Sequence, residues 1–338
     1  MKDNKEVPPE GQLMQALFGF MVSKGLSVAA SLGVADALKD GPMYYIDLAA
    51  AVGADQKALH RVMRLLSGLG IFEETKAGEY KLTPVSDLLR SDHPHSMRAM
   101  AVMITDESHW LPWGRLADVV RSGRSGAQHA FGTDIFTWFQ REENRDQWET
   151  FNSAMTGFSA GTAVLVADVY DFSRFRKIVD IGGGQGFLLR KVLEKAPTAK
   201  GVLFDLPGVV ASADVASLGE RIQAVGGSFF EGVPEGGDCY TLKHIIHDWS
   251  EDQCLKILKN IAAVMAPEGR VLVLETVMPE SPTPHPAKFM DVNMLAMTEG
   301  GCERNEREYA ELLQASGLKL SRVIPTAGAV SVVESEKA

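Results

Sequence analysis

Three things are scarce in this chain: cysteine, excess positive charge and long apolar runs. Only Cys239, Cys254 and Cys302 occur among 338 residues. That is too few, and too scattered, for a disulfide framework or a cysteine-rich metal site. The odd count suits a reducing compartment. Basic residues number 34 against 44 acidic ones, a formal charge of −10. Binding along a phosphate backbone needs Lys and Arg to displace counterions, so no nucleic-acid partner is expected, although a small basic patch is not excluded. No apolar run reaches about 18 residues, so no membrane span is expected. Met1 to Gly11 is polar, carries Pro8 and Pro9, and lacks the basic-then-apolar order of a signal peptide. The expected location is cytoplasmic.

What is present is ordinary globular composition, with 45% hydrophobic and 23% charged residues. The length suggests two domains, divided as 1–104 and 105–338. The first reads as helices with one hairpin. Leu13 to Leu38 is an apolar helical stretch broken by Gly19, Gly25 and Gly33. Ile46 to Val52 is a short helix that stops at Gly53. Asp55 caps a helix from Gln56 to Leu69, and Gly70 ends it. Ile71 to Glu74 and Tyr80 to Leu82 then flank a turn at Lys76-Ala77-Gly78.

Helices followed by a hairpin form a winged-helix pattern, which reads DNA in some proteins and dimerises in others. From Ile46 to Arg90 there are six acids and six bases. Lys57, His60, Arg61 and Arg64 sit on the candidate recognition helix, but Glu73, Glu74 and Glu79 lie where a wing meets phosphate. The electrostatic footprint of a DNA reader is missing.

Asp106 to Tyr170 is helical and holds four of the five tryptophans. Such a stretch serves core packing or walls a pocket for a bulky apolar ligand. From Arg176 the pattern changes to short β-branched runs alternating with helices. Strands are predicted at Ile178–Ile181, Val202–Asp205, Cys239–Lys243 and Val271–Glu275. This is the signature of an open, mostly parallel sheet.

The strongest local signal is Asp180-Ile181-Gly182-Gly183-Gly184-Gln185-Gly186, where a strand runs into glycines ahead of a helix, Phe187 to Lys195. Glycine belongs where a backbone turns sharply and where a ligand touches main chain. Asp205 ends the next predicted strand, nineteen residues past Gly186, and a carboxylate there accepts ribose hydroxyls. A dinucleotide fingerprint needs its third glycine at position 187, which is Phe187. No P-loop Gly-Lys-Ser/Thr follows. The Gly-x-Gly-x-Gly spacing instead resembles a loop that binds S-adenosylmethionine.

A second signal is Tyr240 through Gln253. It predicts a strand up to Lys243, a loop containing His247-Asp248-Trp249, and a helix opened by a Ser250/Gln253 capping box. His247 therefore falls at the carboxyl edge of the sheet, where α/β ligands bind. Glu275 ends a further apolar strand on the same rim. Glu303 follows Gly300-Gly301-Cys302, ahead of a helix from Glu306 to Ser316. Methyl transfer to oxygen needs donor and acceptor aligned and the hydroxyl proton removed. A phenol has a pKa of about 10, and an imidazole is a suitable base. A carboxylate on its other ring nitrogen fixes the tautomer. His247 with Glu275 or Glu303 meets that requirement.

Over nearly its whole length the chain resembles the S-adenosylmethionine-dependent small-molecule O-methyltransferases of the caffeate, acetylserotonin and bacterial antibiotic-tailoring type. The motifs that carry the resemblance are Asp180 to Gly186, Leu203-Phe204-Asp205-Leu206-Pro207, Lys243 to Trp249, and Gly300 to Arg304. The resemblance implies an α/β fold: a Rossmann-like S-adenosylmethionine methyltransferase domain behind an N-terminal, mostly helical winged-helix dimerisation domain. It implies His247 as catalytic base with Glu275 and Glu303 as flanking acids. It implies cofactor contacts from Gly182, Gly184, Asp205, Lys243, Ser159 and Trp249. Many relatives carry Asp at position 228. Here Ser228 offers the adenine a weaker hydrogen bond, and Phe229 is placed to stack on the base. On the acceptor side stand Met155, Met294, Met297, Thr298 and Asp248. Met290, Met294 and Met297 share one face of a predicted helix, Ala287 to Met297, and suit either core or a wall for a flat aromatic hydroxyl acceptor.

The resemblance further implies a homodimer through the N-terminal domain, S-adenosyl-L-methionine converted to S-adenosyl-L-homocysteine, and no metal. Two other readings stay open at this stage. One is the same fold doing other chemistry on the bound cofactor. The other is a winged-helix regulator that senses it.

Overall fold

The structure is a computed structural model that describes residues 7–213 and 219–338, leaving aside the side chains of Phe158, Ser159, Ala160 and Ser212. The chain forms two compact units. One takes the chain up to Trp110 and includes Glu142–Gly157; the other comprises Leu111–Arg141 and Phe158–Ala338.

The first unit opens with one helix, Pro9–Ser31. It runs through Gly19 and Gly25, where breaks are predicted. A single glycine costs a helix only about 1 kcal/mol, and Gly25 lets Val62, Leu65 and Leu66 approach. The real break is Gly33, whose φ is +71°. Only Ser27, Ala29 and Ala30 of this helix are buried, while Leu13, Leu17, Phe18 and Phe20 are exposed. Counter to the sequence expectation, this helix is long and apolar enough to cross a membrane by length and composition, with a mean hydropathy of 1.4 in its most apolar window.

Asp55 Oδ1 accepts from the Ala58 amide at 2.8 Å and caps the helix Gln56–Gly68. Leu59, Met63 and Leu66 of that helix meet Ala29, Leu48, Phe72 and Tyr80 in one core. Strands β1 (Met43–Tyr44), β2 (Phe72–Lys76) and β3 (Glu79–Leu82) form a sheet in the order β1-β3-β2. The wing charges pair with each other, Lys81 with Glu73 and Lys76 with Glu79, each at 2.9 Å. His60 does not point outward as a DNA reader; its Nδ1 lies 2.9 Å from the Tyr80 hydroxyl.

The second unit is built on β4 (Lys177–Ile181), β5 (Lys200–Asp205), β6 (Ile222–Gly226), β7 (Cys239–Lys243), β8 (Arg270–Thr276), β9 (Leu318–Pro325) and β10 (Val330–Lys337). Their order is β6-β5-β4-β7-β8-β10-β9. The first five run parallel, and β10 is antiparallel to both neighbours. The sequence reading finds β4, β5, β7 and β8 because their interiors are apolar runs buried on both faces. It misses β6, β9 and β10. β6 and β9 are edge strands with polar residues on an open face, and β10 carries Glu334 and Glu336.

Two apolar layers cover the sheet. One includes Val166, Leu188, Val192 and Leu272; the other includes Ile257, Ile261, Val271 and Leu313. The strand order reverses between β4 and β7. At such a switch point the loops leave in opposite directions and a crevice opens at the carboxyl ends of the strands. The loops after β4 and β7 hold the glycine cluster and His247.

Candidate active site

Gly182, Gly184 and Gly186 adopt φ values of +65°, +56° and +72°. Side chains rarely tolerate that region, which explains the alternating glycines. The Gly182 amide donates to the Phe204 carbonyl at 2.8 Å, tying the loop to β5. Asp205 closes over the same loop. Its Oδ2 accepts from the Gly184 amide at 2.8 Å and its Oδ1 from the Leu206 amide at 2.7 Å. Burial pushes its pKa up, and these two amides oppose the shift.

Among the described residues nothing lies within 4 Å of the position a Cβ on Gly184 would take, so they leave this side of the loop open. Beneath the loop lies a residue given no role from sequence, Asp180. It is 1% exposed. Its Oδ1 accepts from the Thr241 hydroxyl at 2.7 Å, while its Oδ2 has no hydrogen-bond partner among the described residues. Burial pushes its pKa up to about 6, against the pull of Thr241 and Lys243. Lys243 is itself pushed down by burial, with Asp180 opposing. The missed signal was an acid inside an otherwise apolar strand. An open glycine loop, a buried carboxylate with a spare oxygen and a half-buried ammonium fit a ligand that carries a ribose and an amino-acid end.

Beside the loop, Phe229 and Ile245 sit against Gly182. Trp249 packs edge-on to Phe230, with ring centroids 4.8 Å apart, and stacks on Phe136 at 5.5 Å. The Ser228 hydroxyl accepts from the Phe230 amide at 3.3 Å and closes a turn. Ser228 also lines an open hollow of about 430 Å³ with Phe204, Val225 and Glu231.

Past Lys243 the chain turns through His244, the one described non-glycine residue with positive φ, +54°. Strain of this kind in a non-glycine residue gathers at functional sites. His244 is also absent from the sequence reading. Its ring lies 5.2 Å from that of His247, and burial, followed by the charge of Lys243, pushes its pKa well below the usual imidazole value.

His247 lies on a single 3-10 turn, Ile246–Asp248, and is buried. Its Nδ1 is 2.7 Å from Glu303 Oε1, and its Nε2 is 3.6 Å from Asp248 Oδ1. Burial alone lowers its pKa. The charge of Asp248, the hydrogen bond to Glu303 and the charge of Glu275 outweigh that and hold it at about 9.

The two flanking acids do different things. Glu275 does not hydrogen-bond the ring. Its Oε1 accepts from the amides of Ile245 and His247, each at 3.1 Å, and its Oε2 accepts from the Tyr309 hydroxyl at 2.5 Å. It clamps the backbone of the turn, and Glu303 holds the imidazole. The Glu303 amide in turn donates to Asp291 Oδ1 at 2.9 Å, from the helix Pro286–Met297. On that helix Met294 and Met297 are buried, and the hydroxyl of the adjoining Thr298 donates to the Met294 carbonyl at 2.9 Å. Met155 belongs to the other compact unit. The side chain of Ser159 lies outside the described residues. Among the described residues no group of three or more His, Cys, Asp or Glu is arranged to hold a metal.

A switch-point crevice with a glycine loop, a carboxylate tied to that loop and a buried His–Glu pair suits an enzyme that binds a nucleoside cofactor. Comparison with known proteins gives the family. Residues 113–319 match the O-methyltransferase domain, and residues 14–92 match the O-methyltransferase dimerisation domain. The chain is 39% identical to phenazine O-methyltransferase PhzM of Lysobacter antibioticus, over 97% of this chain and 96% of that one. It is 35% identical to phenazine-1-carboxylate N-methyltransferase of Pseudomonas aeruginosa, over 95% and 96%. The crystal structure of human N-acetylserotonin methyltransferase in complex with S-adenosylmethionine superposes with a TM-score of 0.91 at 30% identity, covering 99% of each chain. The chain belongs to the O-methyltransferase family. It is an S-adenosylmethionine-dependent enzyme.

Asp205 ties the glycine loop, and the resemblance implies that it also holds the cofactor's ribose. Asp205→Ala is therefore expected to weaken S-adenosylhomocysteine binding by at least about tenfold, since charge-assisted hydrogen bonds contribute about 1.5–3 kcal/mol. Isothermal titration calorimetry checks this, and a change under twofold rejects the assignment.

Proposed function

We propose that the enzyme methylates a hydroxyl of a small aromatic acceptor, phenolic or polyketide-like, with His247 as general base. The observation that carries this reading is the 2.7 Å contact between His247 Nδ1 and Glu303. It commits one ring nitrogen to the carboxylate and leaves Nε2 to take the acceptor proton. The cofactor, when bound, supplies an electrophilic methyl on a sulfonium. The acceptor oxygen forms the new O–C bond as the C–S bond breaks, and that electron pair stays on sulfur. Glu303 stabilises the imidazolium so formed, and Glu275 fixes the turn that aims it.

Cofactor contacts are assigned to Gly182, Gly184, Asp205, Ser228, Phe229, Lys243, Trp249 and Ser159. Acceptor contacts are assigned to Met155, Met294, Met297, Thr298 and Asp248. Support for an aromatic acceptor comes from the buried methionines, which adapt to flat rings, and from the phenazine and acetylserotonin relatives. Within the proposal, residues 1–104 dimerise and 105–338 catalyse. A second copy covers the exposed apolar face of Pro9–Ser31, which falls largely within the dimerisation match. The proposed setting is the cytoplasm, with neither nucleic acid nor membrane as partner.

Because some relatives are N-methyltransferases, the deciding test sets aromatic hydroxyls against aromatic amines. Each acceptor is incubated with S-adenosylmethionine and its product weighed by mass spectrometry. A gain of one methyl on hydroxyl acceptors is expected. Turnover confined to amines would reject the reading.

A further inference from the structure

Arg304 ends the Gly300–Arg304 motif and has no part in the chemistry above. It is buried, 6% exposed, and among the described residues no carboxylate lies within ion-pair distance of it. A buried cation is costly unless its donors are satisfied. Its partners are main-chain carbonyls. Nη1 donates to the carbonyl of Ile246 at 3.2 Å and to that of Cys302 at 3.4 Å, and Nη2 lies 3.7 Å from Cys254 Sγ.

The identity of those carbonyls is the informative point. Ile246 immediately precedes His247, and Cys302 immediately precedes Glu303. One planar, rigid guanidinium therefore bridges the two backbone segments that carry the base and its carboxylate. Cys254 strengthens the same seam, since its thiol donates to the carbonyls of Ile246 at 3.1 Å and Trp249 at 3.3 Å. The Arg304 carbonyl accepts from the Met278 amide at 2.9 Å, which anchors the arginine's own backbone to the chain after β8. Lysine cannot reproduce this arrangement, because an ammonium lacks the fixed fork.

We infer that Arg304 is a positioning residue that sets the separation of His247 and Glu303 by spanning their two loops. The inference rests on the reading of His247 as base. Without the bridge, the hydrogen bond left between the two loops among the described residues is the His247–Glu303 contact itself, with only the close packing at Gly301 beside it. The imidazole then samples orientations in which Nε2 is misaimed, and a displacement of about 1 Å costs about 100-fold in rate.

The test is a double-mutant cycle on the full-length enzyme, combining Arg304→Met with Glu303→Gln, with Arg304→Lys as the conservative variant and His247→Ala alongside. S-adenosylhomocysteine affinity and Tm report the fold in each case. Arg304→Met is expected to lower kcat by about 10- to 100-fold with little change in cofactor affinity, and to move the pH dependence of kcat/KM. In the Glu303→Gln background the same substitution is expected to cost under about threefold, because residues acting through one contact are non-additive. Arg304→Lys is expected to restore Tm but not kcat, and it carries the cycle if Arg304→Met does not fold. Equal losses in both backgrounds, with His247→Ala inactive, would overturn the inference alone. Near-wild-type turnover by His247→Ala would overturn the base assignment beneath it.

Discussion

Replacing His247 with alanine is expected to lower kcat by about 10²- to 10⁴-fold, the range that a positioned general base contributes. Affinity for S-adenosylhomocysteine is expected to stay near the wild-type value. The pH dependence carries the finer evidence. A base works only when neutral, and the acids around His247 hold its pKa at about 9. In the wild type kcat/KM, which reports the free enzyme, is therefore expected to rise with pH and level off near that value. Glu303→Gln leaves an oxygen that can still accept from Nδ1 but removes the negative charge that favours the imidazolium. The pKa then falls, and the rising limb moves to lower pH. A pH–rate series on both proteins checks this, and a limb that stays put in Glu303→Gln would remove Glu303 from the proton-transfer unit.

The second large effect is expected from one methyl group. A Cβ on Gly301 would strike the His247 carbonyl oxygen and the Thr298 hydroxyl, and would come 2.9 Å from the Asp248 carbonyl carbon. Two of these are backbone atoms and cannot rotate away. Gly301→Ala must therefore push the segment bearing Glu303 off the turn bearing His247. Overpacking of this kind costs about 1–3 kcal/mol, and the misplaced pair is expected to lose at least about 100-fold in kcat/KM. Differential scanning calorimetry and steady-state kinetics measure the two effects. Full activity in Gly301→Ala would show that the two loops separate without consequence, and the argument for a fixed His247–Glu303 spacing would fail with it.

Gly301 also shows why part of the site is hard to read in a sequence. Its φ lies outside the left-handed region, so no turn rule demands a glycine there. The demand comes from a carbonyl on a loop more than fifty residues away. The glycines of the β4 loop are the opposite case. Their positive φ angles are local, so their spacing is informative and separates this loop from a dinucleotide fingerprint. Likewise Asp55 and the Ser250–Gln253 pair act over three residues, and the structure contains both caps. The strands missed by the reading are those whose faces tell different stories. β10 is interior but antiparallel, and its Glu334 accepts from Tyr170, Arg174 and Arg322, so its charge disguises it as a loop. The Pro9–Ser31 helix is misread in the other direction, because two glycines weaken a helix without ending it.

Local chemistry in the sequence determined the class of cofactor, the α/β alternation, the helix caps and the presence of a histidine at the sheet's carboxyl edge. These depend on φ preferences, side-chain period and hydrogen bonds between near neighbours. Only the tertiary structure decided which acid meets the imidazole. Glu275 and Glu303 were equal candidates in sequence, 28 and 56 residues from His247. The strand order sets Glu275 beside the turn's amides, and the bridge of Arg304 across two carbonyls lies beside the Glu303 contact. Partner choice among distant loops is fixed by sheet register and packing, and those are properties of the closed fold rather than of any segment within it.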